Sequence, residues 1–272
     1  MKPEECTAAE AGAAPSDAST VVVEDIVFAG DVQAWLVRPG DPAAGPSGAA
    51  LDPPYAGIVM WHWLSTEDPI GTRDEFLRDA RELARRGAIC LLPAGRFPWS
   101  IRPAGANADR DQIHAEVARF SRGLDLLQER SDVDGGRLAV VGHDFGAMYA
   151  ILAMAAEPRV RSAALVAPTP RWGDWFLPFW DIPEPHIAYL GSLESLDPVT
   201  QMAALPPRPV LLQMATRDFY VPDMAAFELR AAAGDAGEAV IRLETYDAEH
   251  DMDVSRASDD RLAFLGETLR LG

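Results

Sequence analysis

RLAVVGHDFGAMYA, Arg137 to Ala150, sets the reading of the whole chain. Leu138 to Val141 is a short apolar run with β-branched residues, long enough for a buried strand and too short for a helix. Gly142 and Gly146 bracket a tight turn, and Ala147 to Ala156 reads as a helix rich in Ala and Met. Strand, G-x-D-x-G and helix together have the form of a nucleophile elbow, with Asp144 where a Ser usually stands. The glycines leave room for a turn sharp enough to push the central side chain out above a sheet. Taken alone, the stretch has a second reading, since Asp is a preferred N-cap and Asp144 would then merely cap the helix. The rest of the chain has to separate the two.

With 272 residues, close to half of them hydrophobic, the chain suits one large α/β domain. No stretch approaches the roughly 20 apolar residues of a membrane span. The N-terminus lacks a cationic flank followed by an apolar core, so no signal peptide is expected and a cytoplasmic setting is the default. The formal net charge is −18, which argues against nucleic acid and anionic membranes as partners. Lys2 is the only lysine, so lysine chemistry in a folded site is excluded. Cys6 and Cys90 make neither a disulfide framework nor a zinc cluster, and the histidines include no H-E-x-x-H. No metal and no cofactor is expected.

Residues 1–20 read as a disordered tail and 21–272 as the folded domain. Val21 to Phe28 and Val32 to Arg38 flank a hairpin turn, and Gly57 to Trp61 is a third strand. Arg73 to Arg86 reads as an amphipathic helix, with Gly87 at its C′ position, ahead of a strand at Ala88 to Leu92. Ile113, Val117, Phe120, Leu124 and Leu127 mark the core stripe of a long helix. Beyond the elbow come strands at Ser162 to Ala167, Pro209 to Ala215 and Ala239 to Tyr246, with helices at Pro222 to Ala233 and Asp259 to Leu271. A long interruption, 168–207, reads as a lid. The alternation implies an eight-stranded, mostly parallel sheet with helices on both faces.

In such sheets functional groups gather at the carboxyl ends of strands. His62-Trp63 ends the third strand and Asp144 the fifth; Asp218, in ATRDFYVP, follows the seventh, and His250, in YDAEHDM, follows the eighth. Nucleophile, acid and His in that order form the α/β-hydrolase triad. On these residues the chain resembles the α/β-hydrolase superfamily over Val21 to Leu271. GHDFG resembles its aspartate-nucleophile branch, the epoxide hydrolases and dehalogenases, whereas the overall spacing and LARRGAICLLPA are similar to dienelactone-hydrolase relatives. The chain departs from the branch in having His62-Trp63-Leu64-Ser65 where epoxide hydrolases have His-Gly-x-Pro. It has Phe145 where the branch often has Trp, and its lid is shorter than a full helical cap.

A carboxylate nucleophile suits a saturated carbon bearing a leaving group, because attack on an acyl carbon would give a mixed anhydride. Asp144 would form an alkyl-enzyme ester, and His250, held by Asp218, would activate the water that cleaves it. Backbone N–H groups of Phe145 and of Trp63 or Leu64 would hold the oxyanion, with His62 shaping that loop. Trp172, Trp175, Trp180, His186 and Tyr189 in the lid, together with Tyr220 and Tyr246, are the candidate donors to the leaving atom. With no indole at Phe145, an epoxide on a bulky hydrophobic small molecule is favoured. The alternatives are haloalkane or haloacid dehalogenation, lyase or cyclase chemistry with Asp144 as base, and a ligand-binding protein. The chain would act alone or as a homodimer. His143 is expected to point away from Asp144 into packing, His114 to be half exposed, and Glu249, Asp251 and Asp253 to form a solvated acidic loop. If near the imidazole, that loop would raise the His250 pKa.

Overall fold

The computed structural model describes residues 21–40, 51–64, 71–96, 103–176, 181–182, 185–238 and 240–272. Strands β1 (Val21–Phe28) and β2 (Val32–Pro39) form an antiparallel hairpin turning on Ala29 and Gly30, both at positive φ. β3 (Tyr55–Trp61), α1 (Leu77–Arg85), β4 (Ala88–Pro93), α2 (Ala106–Gln128), β5 (Val133–His143), α3 (Phe145–Ala156) and β6 (Val160–Val166) follow. Next come three short helices, α4 (Trp172–Phe176), α5 (His186–Leu193) and α6 (Pro198–Ala204), in the region expected as a lid. β7 (Val210–Ala215), α7 (Ala225–Ala232), α8 (Gly234–Glu238), β8 (Ile241–Tyr246) and α9 (Ser255–Leu269) complete the chain.

The strands form one sheet in the order β1-β2-β4-β3-β5-β6-β7-β8, in which the β1–β2 and β2–β4 pairings are antiparallel and the remaining pairings parallel. The chain order reverses beside β3, and the crevice created there lies at the carboxyl ends of β3 and β5. Strand alternation divides the core between two faces. Val59, Trp61 and Val140 pack with α2 and α3, while Ile58, Met60, Ala139 and Val141 pack with α1 and α9. The α2 stripe is buried at Ile113, Phe120, Leu124 and Leu127. At about 2 kcal/mol for each large apolar side chain removed from water, that face alone explains why α2 holds to the sheet. Among the described residues, no helix is long and apolar enough to cross a membrane.

One helix differs from its sequence reading. A 3-10 turn covers Gly71–Asp74, and α1 begins only at Leu77 rather than near Arg73. Arg73 is drawn to β1 by a bidentate pair with Asp25 at 2.9 and 3.1 Å and lies over the Trp35 ring, which competes with regular helix. Glu75 falls in the gap between turn and helix, so its direction is not fixed by helical phase.

The elbow is as tight as its glycines imply. A Cβ on Gly142 would lie 2.3 Å from the Gly146 carbonyl oxygen, and one on Gly146 would lie 2.3 Å from that of Trp61. Both obstacles are backbone and cannot rotate away. Gly146→Ala is therefore expected to destabilise the fold by at least ~2 kcal/mol in urea unfolding, the cost of an overpacked core position. A loss below ~0.5 kcal/mol would contradict this packing.

Candidate active site

Asp144 stands at the tip of the elbow with φ 55° and ψ −118°, in a region sparsely populated by non-glycine residues. Strain of this kind costs about 1–3 kcal/mol. It is held by the Asp144 N–H donating to Val166 O at 2.8 Å and by its carbonyl accepting from Ala147 and Met148, each at 3.0 Å. The carboxylate makes no capping bond to α3, which removes the helix-cap reading. It is buried, and its Oδ2 accepts from the Leu64 N–H at 3.2 Å. Oδ1 has no hydrogen-bond partner among the described residues.

Folding brings the other two expected groups to it. His250 Nδ1 donates to Asp218 Oδ2 at 2.8 Å, and Asp218 Oδ1 accepts the N–H groups of Tyr220 and Val221 at 2.8 and 3.0 Å. His250 Nε2 points at Asp144 Oδ2 across 3.8 Å, too long for a hydrogen bond and short enough for an ion pair. Burial alone would lower the imidazolium pKa. The facing Asp144 carboxylate and the Asp218 hydrogen bond reverse that and push it up to about 10. Burial alone would push the Asp218 carboxyl up, but His250 and the two backbone N–H groups bring it below its ordinary value. The resting site therefore holds a protonated imidazole between two carboxylates, and the acidic neighbours Glu249, Asp251 and Asp253 lie exposed.

The oxyanion loop differs by one residue from half of the expectation. Of Trp63 and Leu64, it is Leu64 whose N–H reaches Asp144, because the Trp63 N–H donates to Glu75 Oε2 at 2.9 Å. Trp63 contributes its ring instead, 5.6 Å from His143 and nearly parallel to it, and 5.8 Å from His250. His62 turns its ring nitrogens to other partners than Asp144. Its Nε2 accepts from the Gly95 N–H at 2.8 Å and its Nδ1 donates to Trp63 O at 2.7 Å. Burial lowers its pKa, consistent with a neutral ring that ties the loop to the end of β4.

The aromatic candidates separate. Trp175 stacks on Tyr220 with centroids 5.0 Å apart, and both meet His250 edge to face, at 5.6 and 5.1 Å. The Phe145 ring is buried against Trp172 and Trp175. Trp172 is engaged inside the lid, its Nε1–H donating to Leu196 O at 2.8 Å. Tyr189 donates to Asp109 Oδ2 at 2.7 Å, and Tyr246 donates to Asp260 while accepting from Gln213. These three are corrections to the expected donor set: their polar atoms serve α2, α9 and the lid itself. His186 on α5 and His114 on α2 are exposed, and Trp180 lies outside the described residues.

Sequence reasoning missed Glu75. Its Oε1 faces His143 Nδ1 at 2.6 Å, and His143 Nε2 donates to the His250 carbonyl at 2.9 Å. His143 does point away from Asp144, but into a polar tie rather than apolar packing. A cavity of about 270 Å³ opens beside this pair, lined also by Asp79, Met252, Ser255 and Arg261. Its lining includes neither Asp144 nor His250, so it is not the space above the Asp144 carboxylate.

No family model matches the chain, and no curated protein does. Solved structures do match. TT1662 from Thermus thermophilus is 19% identical with a TM-score of 0.66, covering 92% of this chain and 98% of its own. A Klebsiella pneumoniae protein described as a dienelactone hydrolase is 16% identical with a TM-score of 0.61, covering 93% and 98%. The esterase Pf2001 of Pyrococcus furiosus is 14% identical with a TM-score of 0.59, covering 100% and 97%. The chain spans about a third of a longer Bacteroides ovatus protein described as a dipeptidyl aminopeptidase IV, covering 35% of it at 18% identity. The chain has the α/β-hydrolase fold, and its structural neighbours are of the dienelactone-hydrolase, esterase and peptidase kinds.

The charge arrangement has a measurable consequence. A pKa raised in the folded state from about 6.5 to about 10 gives stability that is full below the lower value and is lost as pH rises through the upper one. The free energy of unfolding is expected to fall between pH 7 and 10. Asp144→Asn, which removes one of the facing carboxylates, should flatten that decline. An identical pH profile in the variant would show that Asp144 does not hold the proton on His250.

Proposed function

We propose that the chain is a hydrolase that attacks an alkyl carbon through Asp144, with epoxide opening as its reaction. The observation that carries this reading is the state of the Asp144 carboxylate. One oxygen, Oδ2, rests on the Leu64 N–H and faces the charged His250 across 3.8 Å, and the other, Oδ1, is buried without a hydrogen-bond partner among the described residues. Oδ1 is the nucleophile, and Oδ2 becomes the ester carbonyl and later the oxyanion at a donor already in place. The structural neighbours support hydrolysis as the general activity.

The proton inventory closes. Oδ1 bonds to the epoxide carbon as that carbon–oxygen bond breaks, and the alkoxide takes the proton of the His250 imidazolium. Ester formation removes the negative charge that faced His250, so the ring, left with Asp218, becomes a base. It takes a proton from water, and the hydroxide adds to the Asp144 carbonyl carbon. Collapse of the tetrahedral intermediate releases the diol, which takes the carboxyl proton and leaves an aspartate and a charged His250, as at the start. The aromatic pair Trp175 and Tyr220 beside His250 favours an apolar substrate. Against halide release stand the apolar ring of Phe145 next to the nucleophile and the commitment of the Trp172 indole N–H to Leu196.

Repeated turnovers in 18O-water should place the label in the Asp144 peptide, because water oxygen enters the carboxylate. His250→Gln removes the acid of the first step as well as the base of the second, and should slow turnover by on the order of 10³-fold or more without accumulating an alkyl-enzyme. Intact mass spectrometry of the variant checks for the adduct. An unlabelled Asp144 after many turnovers defeats the covalent mechanism, and product lacking solvent oxygen would point to Asp144 as a base.

A further inference from the structure

We propose that Glu75 is a positioning residue of this site, setting the oxyanion loop through Trp63 and the main chain of His250 through His143. The two oxygens of one carboxylate serve two different catalytic loops. Oε2 accepts the Trp63 N–H at 2.9 Å, and Oε1 faces His143 Nδ1 at 2.6 Å. His143 Nε2 in turn donates to the carbonyl of His250 at 2.9 Å. The Asp218 bond fixes the ring of His250 but not its main chain, and the loop beyond it is strained, with Met252 at φ 52°. The His143 bond supplies the missing tie. On the other loop, binding the Trp63 N–H in one direction leaves the next amide, that of Leu64, aimed at Asp144. The Trp63 ring closes the arrangement by lying over both imidazoles.

The local fold suits this role. Glu75 sits between the 3-10 turn and α1, where neither element dictates its direction. Burial by itself would raise its carboxyl pKa. The facing His143, and then the Trp63 N–H, hold it below its ordinary value, so both oxygens remain acceptors. A simple structural ion pair has no need to address two catalytic loops at once.

The test is the titration of the His250 ring, followed by 15N NMR in the full chain. That ring faces Asp144, Asp218 and His143, with Glu249 and Asp251 exposed on its flanks. Glu75→Gln keeps both ties, its amide oxygen accepting from Trp63 and its amide N–H donating to His143. Its midpoint should stay within about 0.5 unit of the parent. Glu75→Leu breaks both ties, lets the imidazolium drift from Asp144 and should lower the midpoint by a further unit or more. On a hydrolysed substrate it should cut kcat about 10²-fold with little change in KM, as misplacement of a catalytic group does. Should Glu75→Leu not fold, Glu75→Asp, one methylene shorter and able to reach only one partner, carries the same expectation. A parent-like midpoint in Leu or Asp, or a Gln variant as impaired as Leu, overturns the proposal. The inference rests on His250 working with Asp144. The titration needs no substrate, so absence of epoxide turnover in the parent would sink the functional reading and leave this one to the midpoints.

Discussion

Everything at this site depends on one close approach, the first turn of α3 against the last carbonyls of β3. There is no room for a Cβ at Gly146 beside the Trp61 and His62 oxygens, nor at Gly142 beside the Gly146 backbone. That clearance forces the turn to close in two residues, and closing it puts Asp144 at positive φ with its carboxylate raised above the sheet. The same contact carries the segment after β3 to the carboxylate, so that the Leu64 N–H meets Oδ2. The raised Asp144 carboxylate and the amide that meets it are thus products of a single packing constraint rather than two features that happen to coincide.

Charge follows from the residue placed at that tip. With a hydroxyl there, a histidine beside one buried carboxylate would have little to oppose the cost of its own burial. With Asp144 it faces a second carboxylate, and the balance moves to the imidazolium, with its pKa pushed up to about 10. In the proposed reaction a charged His250 is not the base of the first step. It can serve as an acid first and as a base afterwards, once Asp144 has been neutralised. The net charge of the triad, one positive and two negative, also gives an anionic substrate no attraction.

Much of this architecture is written in local pattern. Apolar and β-branched runs ending in Trp61, His143, Ala215 and Tyr246 mark strands, and Asp144, Asp218 and His250 were recognisable because each follows one of them in a fixed order. What local pattern does not carry is the identity of partners distant in sequence. Tyr189 looks like a lid donor until Asp109, eighty residues earlier, is found to accept its proton. Tyr246 is turned aside in the same way by Gln213 and Asp260. The choice of Leu64 over Trp63 is a one-residue phase set by Glu75, and Glu75 escaped notice because a helical reading from Arg73 assigned it a helix position. The competing attraction of Arg73 for Asp25 and Trp35 breaks that helix, and no spacing within the segment encodes it.

The groups of this site arise from four separate loops, after β3, β5, β7 and β8, and those loops are tied largely by side chains bonded to backbone. Asp218 takes two amides of its own loop, Glu75 takes that of Trp63, Asp144 takes that of Leu64, and His143 holds the carbonyl of His250. Such bonds are stronger than neutral ones and exist in full only while the carboxylates are charged. Apolar packing cannot do this work, since it is indifferent to a rotation that would swap one amide for the next. The sheet and its helices bring the loops within reach, and the carboxylates choose which amide points where. Geometry and charge state are consequently one property of this site: the anions that poise His250 are also the clamps, or the direct neighbours of the clamps, that keep it in place.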